Sequence, residues 1–185
     1  MKELSLHVLD VARNSLSAGC ALLEVTAEQT GSLLTLRFAD DGCGMDVDLL
    51  ASVLDPFTTT RTTRGVGLGL SLLRLTCEQT GGGVTVESAP GAGTVVTAVL
   101  HTAHIDAPPM GDLGSAAALL VQDAGAARIR LVRRLDERSY TFDTDEIRAI
   151  LGPDVPLSDP AVTLWIADYL REQEALLSPE TTSNP

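Results

Sequence analysis

Two pairs of short apolar runs, 21–28 with 33–39 and 84–88 with 94–100, are each joined by a few turn-forming residues, and this spacing narrows the fold more than any other feature. Runs of β-branched and apolar residues closed by Gln29-Thr30-Gly31-Ser32 or Ala89-Pro90-Gly91-Ala92-Gly93 predict β-hairpins. Between and before them the periodicity changes. Residues 4–18 place Leu4, Val8, Val11 and Ser15 on one helical stripe. Residues 46–54 predict a short helix capped by Asp46, and 68–80 a longer one stopped by Gly81-Gly82-Gly83. The Thr-, Arg- and Gly-rich stretch 55–67 has no periodicity and predicts a loop. The order α-β-β-α-loop-α-β-β is buried most simply as an α+β fold. That means a two-layer α/β sandwich, a mostly antiparallel sheet with helices on one face.

Beyond residue 100 the composition shifts. Pro108-Pro109 and nearby glycines predict a linker over 101–114, expected to fold back on the sheet. Residues 115–178 predict a small α+β module of their own. It comprises a helix at 115–123, a hairpin from 127–134 and 138–142, a helix at 143–151 and a final helix capped by Ser158 or Asp159. The polar tail 179–185 is expected to fray. Hydrophobic residues are 44% of the chain but aromatics only 3%, so the core must be aliphatic. The net charge of −12 is spread over both halves and argues against nucleic acid or anionic membrane as partners. Cys20, Cys43 and Cys77, without a CxxC, read as reduced thiols. No apolar run approaches the ~20 residues of a membrane span. A cytoplasmic chain that takes its signal from a soluble partner or ligand is the expectation.

Four groups of residues carry chemistry. Asp40-Asp41-Gly42-Cys43-Gly44-Met45 ends an apolar strand, where a carboxylate can accept from an exocyclic amine and glycines let the backbone approach a flat ring. The same pattern also serves as a tight turn. The run Gly65-Val66-Gly67-Leu68-Gly69 opens a helix, where exposed N–H groups and the helix dipole favour phosphate. It is neither a Walker A loop nor a dinucleotide fingerprint, and a hinge is the competing reading. His7, Asp10 and Asn14 fall along one strip of the first helix. There Asn14 can offer oxygen to Mg²⁺ and Asp10 can orient or deprotonate water, while His7 reads as a packing imidazole. Thr94, after Gly91-Ala92-Gly93, can direct its hydroxyl to a base or to Asp40.

In this order the series resembles the GHKL superfamily of ATPases, which includes gyrase, Hsp90, histidine kinases and MutL-type repair proteins. The likeness rests on Asp10 to Asn14, Asp40 to Gly44, Asp55-Pro56-Phe57, the glycines 65–69, and Gly91 to Thr94, and covers residues 1–100. The resemblance implies a Bergerat-type ATP-binding domain over 1–100. It implies Asn14 as Mg²⁺ ligand, Asp40 as the adenine-recognising carboxylate supported by Thr94 through water, and Asp10 where many members carry a Glu base. Gly42 and Gly44 would shape the adenine end, and Gly65, Gly67 and Gly69 would cradle phosphates. Met45, Phe57 and Leu68 would line the pocket, and Arg61 and Arg64 would reach the β- and γ-phosphates or remain surface residues.

A histidine kinase needs a phosphoacceptor helix, and only three residues precede Leu4. His104 and Pro109 have the spacing of a phosphoacceptor box, but the prolines there oppose a helix. The expectation is therefore Mg–ATP binding with phosphorylation of a protein partner in trans. A slow ATPase working as a conformational switch and a non-catalytic ATP sensor are the alternatives. The C-terminal module, with Arg133-Arg134 and Trp165, is open to partner docking, homodimerisation or simple packing on the ATP domain.

Overall fold

The computed structural model describes residues 3–54 and 69–178. In chain order the elements are α1 (Leu4–Ser17), β1 (Leu22–Thr30), β2 (Leu33–Asp40), α2 (Val47–Ser52), α3 (Gly69–Gln79), β3 (Gly83–Ser88), β4 (Thr94–His101), α4 (Leu113–Asp123), β5 (Arg128–Leu135), β6 (Arg138–Asp143), α5 (Thr144–Leu151) and α6 (Pro160–Leu177). The period-two alternation that predicts the first strands is what buries them. Leu23, Val25 and Ala27 of β1 and Leu34, Leu36 and Phe38 of β2 face the core, and the intervening residues face away.

The strands form one sheet in the order β3-β4-β2-β1-β5-β6. Every pairing among the described strands is antiparallel except β1 with β5, where Leu23 stands opposite Ile129 and Val25 opposite Leu131. α1 packs against α3 and α4, and α4 against α6, so these helices build a layer over the apolar face. The other face is polar: Glu24 pairs with Arg130 at 3.1 Å and Arg37 at 3.8 Å, and Glu28 with Arg134 at 3.6 Å. This is the α+β sandwich expected from the element order.

Two features differ from that expectation. Residues 115–178, expected as a module of their own, supply β5 and β6 to the same sheet and share one continuous core with the first hundred residues. The 101–114 segment starts on the sheet, with His101 ending β4 and the Thr102 N–H donating to the Ser32 carbonyl at 2.7 Å, and then docks on the start of α1. The N-cap position Glu3 makes no side-chain cap. Instead the Leu4 and Ser5 N–H groups donate to the Pro109 and Met110 carbonyls at 2.9 and 2.8 Å. Helix-start N–H groups need acceptors, and here the linker provides them. No described helix is long and apolar enough to cross a membrane.

Candidate functional site

The end of β2, the start of β4 and the last turns of α1 meet at Asp40. The β2–β4 register sets Asp40 opposite Thr94, which brings the Thr94 N–H to the carboxylate. Asp40 Oδ1 accepts from the Gly42 N–H at 3.0 Å and the Thr94 N–H at 3.2 Å, and Oδ2 accepts from the Ser15 hydroxyl at 2.6 Å. The carboxylate is half-buried, fixed from three sides by three separate elements.

The adjacent Asp41 has a different task. Its Oδ1 accepts from the Ala21 and Leu22 N–H groups at 2.7 and 2.8 Å, pinning the entry to β1. The Leu22 N–H in particular holds its carboxyl below the usual range. One aspartate of the pair is therefore held between α1 and β4, and the other ties down the entry to β1.

The glycines act through close approach. Gly44 (φ 66°) and Gly93 (φ 81°) both need the left-handed conformation, and a Cβ on either would collide with backbone, that of Ala89 or of Asp40. Between Gly42 and Gly44, the Cys43 N–H donates to the Ala18 carbonyl (3.0 Å), and the Cys43 carbonyl accepts from Gly91 (2.8 Å). The turn is thus clamped between the end of α1 and the β3–β4 hairpin. Ser88 locks the far side: its hydroxyl donates to the Gly93 carbonyl at 2.8 Å and accepts from the Met45 N–H at 2.9 Å.

On α1, Asp10 and Asn14 are half-buried along one strip, one turn apart. Gly69, the first residue of α3, lies against Asp10: an added Cβ would stand 2.8 Å from the Asp10 Cβ. His7 is fully buried, with its Nε2 3.4 Å from the Thr76 hydroxyl of α3 and its Nδ1 without a partner among the described residues. Burial lowers its pKa, which favours the neutral imidazole, as the sequence suggests.

The described residues fall into two contact groups: Asp40, Gly42, Gly44, Met45 and Thr94 around the end of β2, and Asp10 with Gly69, Asn14 standing one turn from Asp10 on α1. Phe57, Arg61, Arg64, Gly65, Gly67 and Leu68 lie outside the described residues. One expected contact is corrected. The Thr94 hydroxyl does not reach Asp40 but pairs with Ser88 Oγ at 2.9 Å, and it is the Thr94 backbone that meets the carboxylate. Sequence reasoning missed Ser15 and Ser88 as site residues. For Ser15 the signal was available, because a serine on an otherwise apolar stripe must find a partner when buried. A groove of about 790 Å³ between α4, α5 and the 152–158 segment lies apart from these residues. Its one charged side chain, Arg148, is engaged by the Gly125 and Ala127 carbonyls and by Asp145, and we see no chemistry there.

A fixed carboxylate at the end of β2, glycine-shaped backbone beside it and an Asp/Asn strip on α1 are groups that can receive a flat, amine-bearing ring and a charged tail. The family model for the histidine kinase-, DNA gyrase B- and HSP90-like ATPase matches residues 2–104, which contain all of these groups. The chain belongs to that ATPase family. Within the family, it is 32% identical over 145 residues to the sensor kinase CckA of Brucella abortus, covering 70% of this chain and 15% of CckA. It is 33% identical over 100 residues to the signal transduction histidine-protein kinase AtoS of Escherichia coli, covering 54% of this chain and 16% of AtoS. The chain thus spans about a sixth of the length of these relatives. The fold of this ATPase-family chain is also that of the N-terminal domain of a DNA repair protein, with a TM-score of 0.53 at 13% identity, covering 76% of this chain and 52% of that one.

Proposed function

We propose that the chain binds Mg–ATP in the cleft around Asp40 and transfers the γ-phosphoryl group to a protein partner in trans, as a cytoplasmic histidine-kinase-like signalling enzyme. The observation that carries the binding half is the Asp40 carboxylate, held by Ser15, Gly42 and Thr94 beside the glycine-shaped turn at Gly42–Gly44. Similarity to a sensor kinase and to a histidine-protein kinase supports the kinase half.

In this reading Asp40 accepts the adenine 6-amine, and the backbone at Gly42 and Gly44 lies along the ring. The Asn14 amide oxygen offers one ligand to Mg²⁺, a cation that takes most of its other oxygens from phosphate and water. When bound, Mg²⁺ offsets charge on the phosphates. Gly65, Gly67 and Gly69 supply N–H groups to the phosphates, Arg61 and Arg64 their guanidinium groups, and Met45, Phe57 and Leu68 apolar lining. Catalysis is then chiefly positioning and charge neutralisation.

A second reading, slow hydrolysis that switches the conformation of the chain, is favoured by one observation: Asp10 stands against Gly69 at the start of α3, one turn from Asn14. There Asp10 would take a proton from the attacking water. Incubation with γ-labelled ATP separates these. Label on a partner protein supports the kinase, and free phosphate lost in Asp10→Asn supports the ATPase. Tight binding with neither leaves an ATP-sensing module.

A further inference from the structure

We propose that Ser15 is a positioning residue that sets base selectivity, by leaving one acceptor position on Asp40 for the 6-amino group of a purine nucleotide. This rests on reading the cleft as a nucleotide site. An ionised carboxylate has about four lone-pair positions, two per oxygen. Both on Oδ1 are taken, by the Gly42 and Thr94 N–H groups. One on Oδ2 is taken by the Ser15 hydroxyl at 2.6 Å, in the range of a short charge-assisted bond. Among the described residues, a single position, on Oδ2, remains.

Three consequences follow from that count. The carboxylate cannot rotate to exchange its oxygens without breaking three bonds. Its remaining position accepts only, so it welcomes a donor, as the amine of adenine is, and repels the 6-oxo acceptor of guanine or hypoxanthine. The two backbone donors fix the plane of the carboxylate through Oδ1, and Ser15, by occupying one position on Oδ2, decides which position on that oxygen is left. Ser15 is 6% exposed, so water does not readily replace its hydroxyl. Asp40 supplies the charge, and Ser15 supplies the direction.

The test uses titration calorimetry on the full chain with Mg–ATP and with purine riboside 5′-triphosphate, which carries hydrogen in place of the 6-amine. Wild type is expected to prefer ATP. Ser15→Ala is expected to weaken ATP binding by about tenfold and analogue binding by less than about twofold, so the preference collapses. Ser15→Thr, which keeps the hydroxyl, is expected to retain the preference. Equal losses for both nucleotides, or a wild-type preference retained in Ser15→Ala, would overturn the role of Ser15. The reading of the cleft would survive that result as long as wild type binds ATP and Asp40→Asn weakens it. A wild-type chain that binds neither nucleotide overturns both.

Discussion

The two ends of the sheet use polar side chains in opposite ways. At the β5–β6 end, charges are matched and closed off. The almost fully buried Arg133 donates to the Ala27 and Arg134 carbonyls and to Glu174 of α6, and Glu174 also accepts from Tyr140 at 2.7 Å. Arg128 grips Asp143 at 2.6 Å, and Arg171 links α6 to Asp112 at the start of α4. At the β2–β4 end, Asp40 is equally well held, but among the described residues one of its acceptor positions has no protein donor. Buried polar groups that are fully paired specify a fold, and those left partly unpaired at a concave surface are where ligands are recognised. The difference separates a structural end from a functional one within a single core.

The strongest challenge to this contrast is at Gly93. A Cβ there would meet the Asp40 backbone, which cannot swing aside, so Gly93→Ala is expected to cost about 4 kcal/mol or more and to abolish nucleotide binding. A urea midpoint and a nucleotide titration check the two losses. Next comes Arg133→Met, which leaves Glu174 and Tyr140 facing an apolar neighbour. It is expected to cost about 3–4 kcal/mol, with the double variant Arg133→Met, Glu174→Leu recovering most of it. Nucleotide affinity is expected to stay at the wild-type value in any of these C-terminal variants that remains folded. A large affinity loss there would erase the distinction between the two ends.

How far this division could be read from sequence depends on the range of the interaction. The elements were legible because each is a local pattern: the α1 stripe, the two hairpins, the Asp46 and Asp159 caps. The candidate site was legible in part, because Asn14, Asp40 and the glycines stand in a recognisable order. The β1–β5 pairing was not legible. Parallel partners more than a hundred residues apart have no shared turn to announce them, so β5 and β6 read as a separate module. Arg133 occupies the inward register of β5, in step with Ile129 and Leu131, yet its charge disguised that position. For Thr94 the sequence offered a hydroxyl to a base or to Asp40, and only the β2–β4 register shows that the N–H is the group bonded to Asp40.

Two smaller effects sharpen the comparison. Ser88→Ala removes a hydroxyl that bonds Met45, Gly93 and Thr94, and is expected to cost about 1–2 kcal/mol while loosening the Gly42–Gly44 turn. A denaturant curve paired with amide exchange at Met45 reads both. The smallest concerns pH. Burial works against ionisation of Asp112, but Arg171 and Ser115 hold its carboxyl down at about 2, below the ordinary 3.8. A carboxyl depressed in the folded state stabilises fully above its unfolded value and loses that contribution as pH falls through the folded one. The melting temperature is therefore expected to drop between about pH 4 and pH 2. Asp112→Asn is expected to lower it at neutral pH and flatten that slope.

The central claim is that Asp40 is the base-recognising group of a nucleotide site. Calorimetric titration of wild type and Asp40→Asn with Mg–ATP, on samples matched by circular dichroism and melting temperature, tests it most directly. The account predicts at least a tenfold loss of ATP affinity in Asp40→Asn, about the value of a hydrogen bond to a charged acceptor. Equal ATP affinity in the two folded proteins would contradict it.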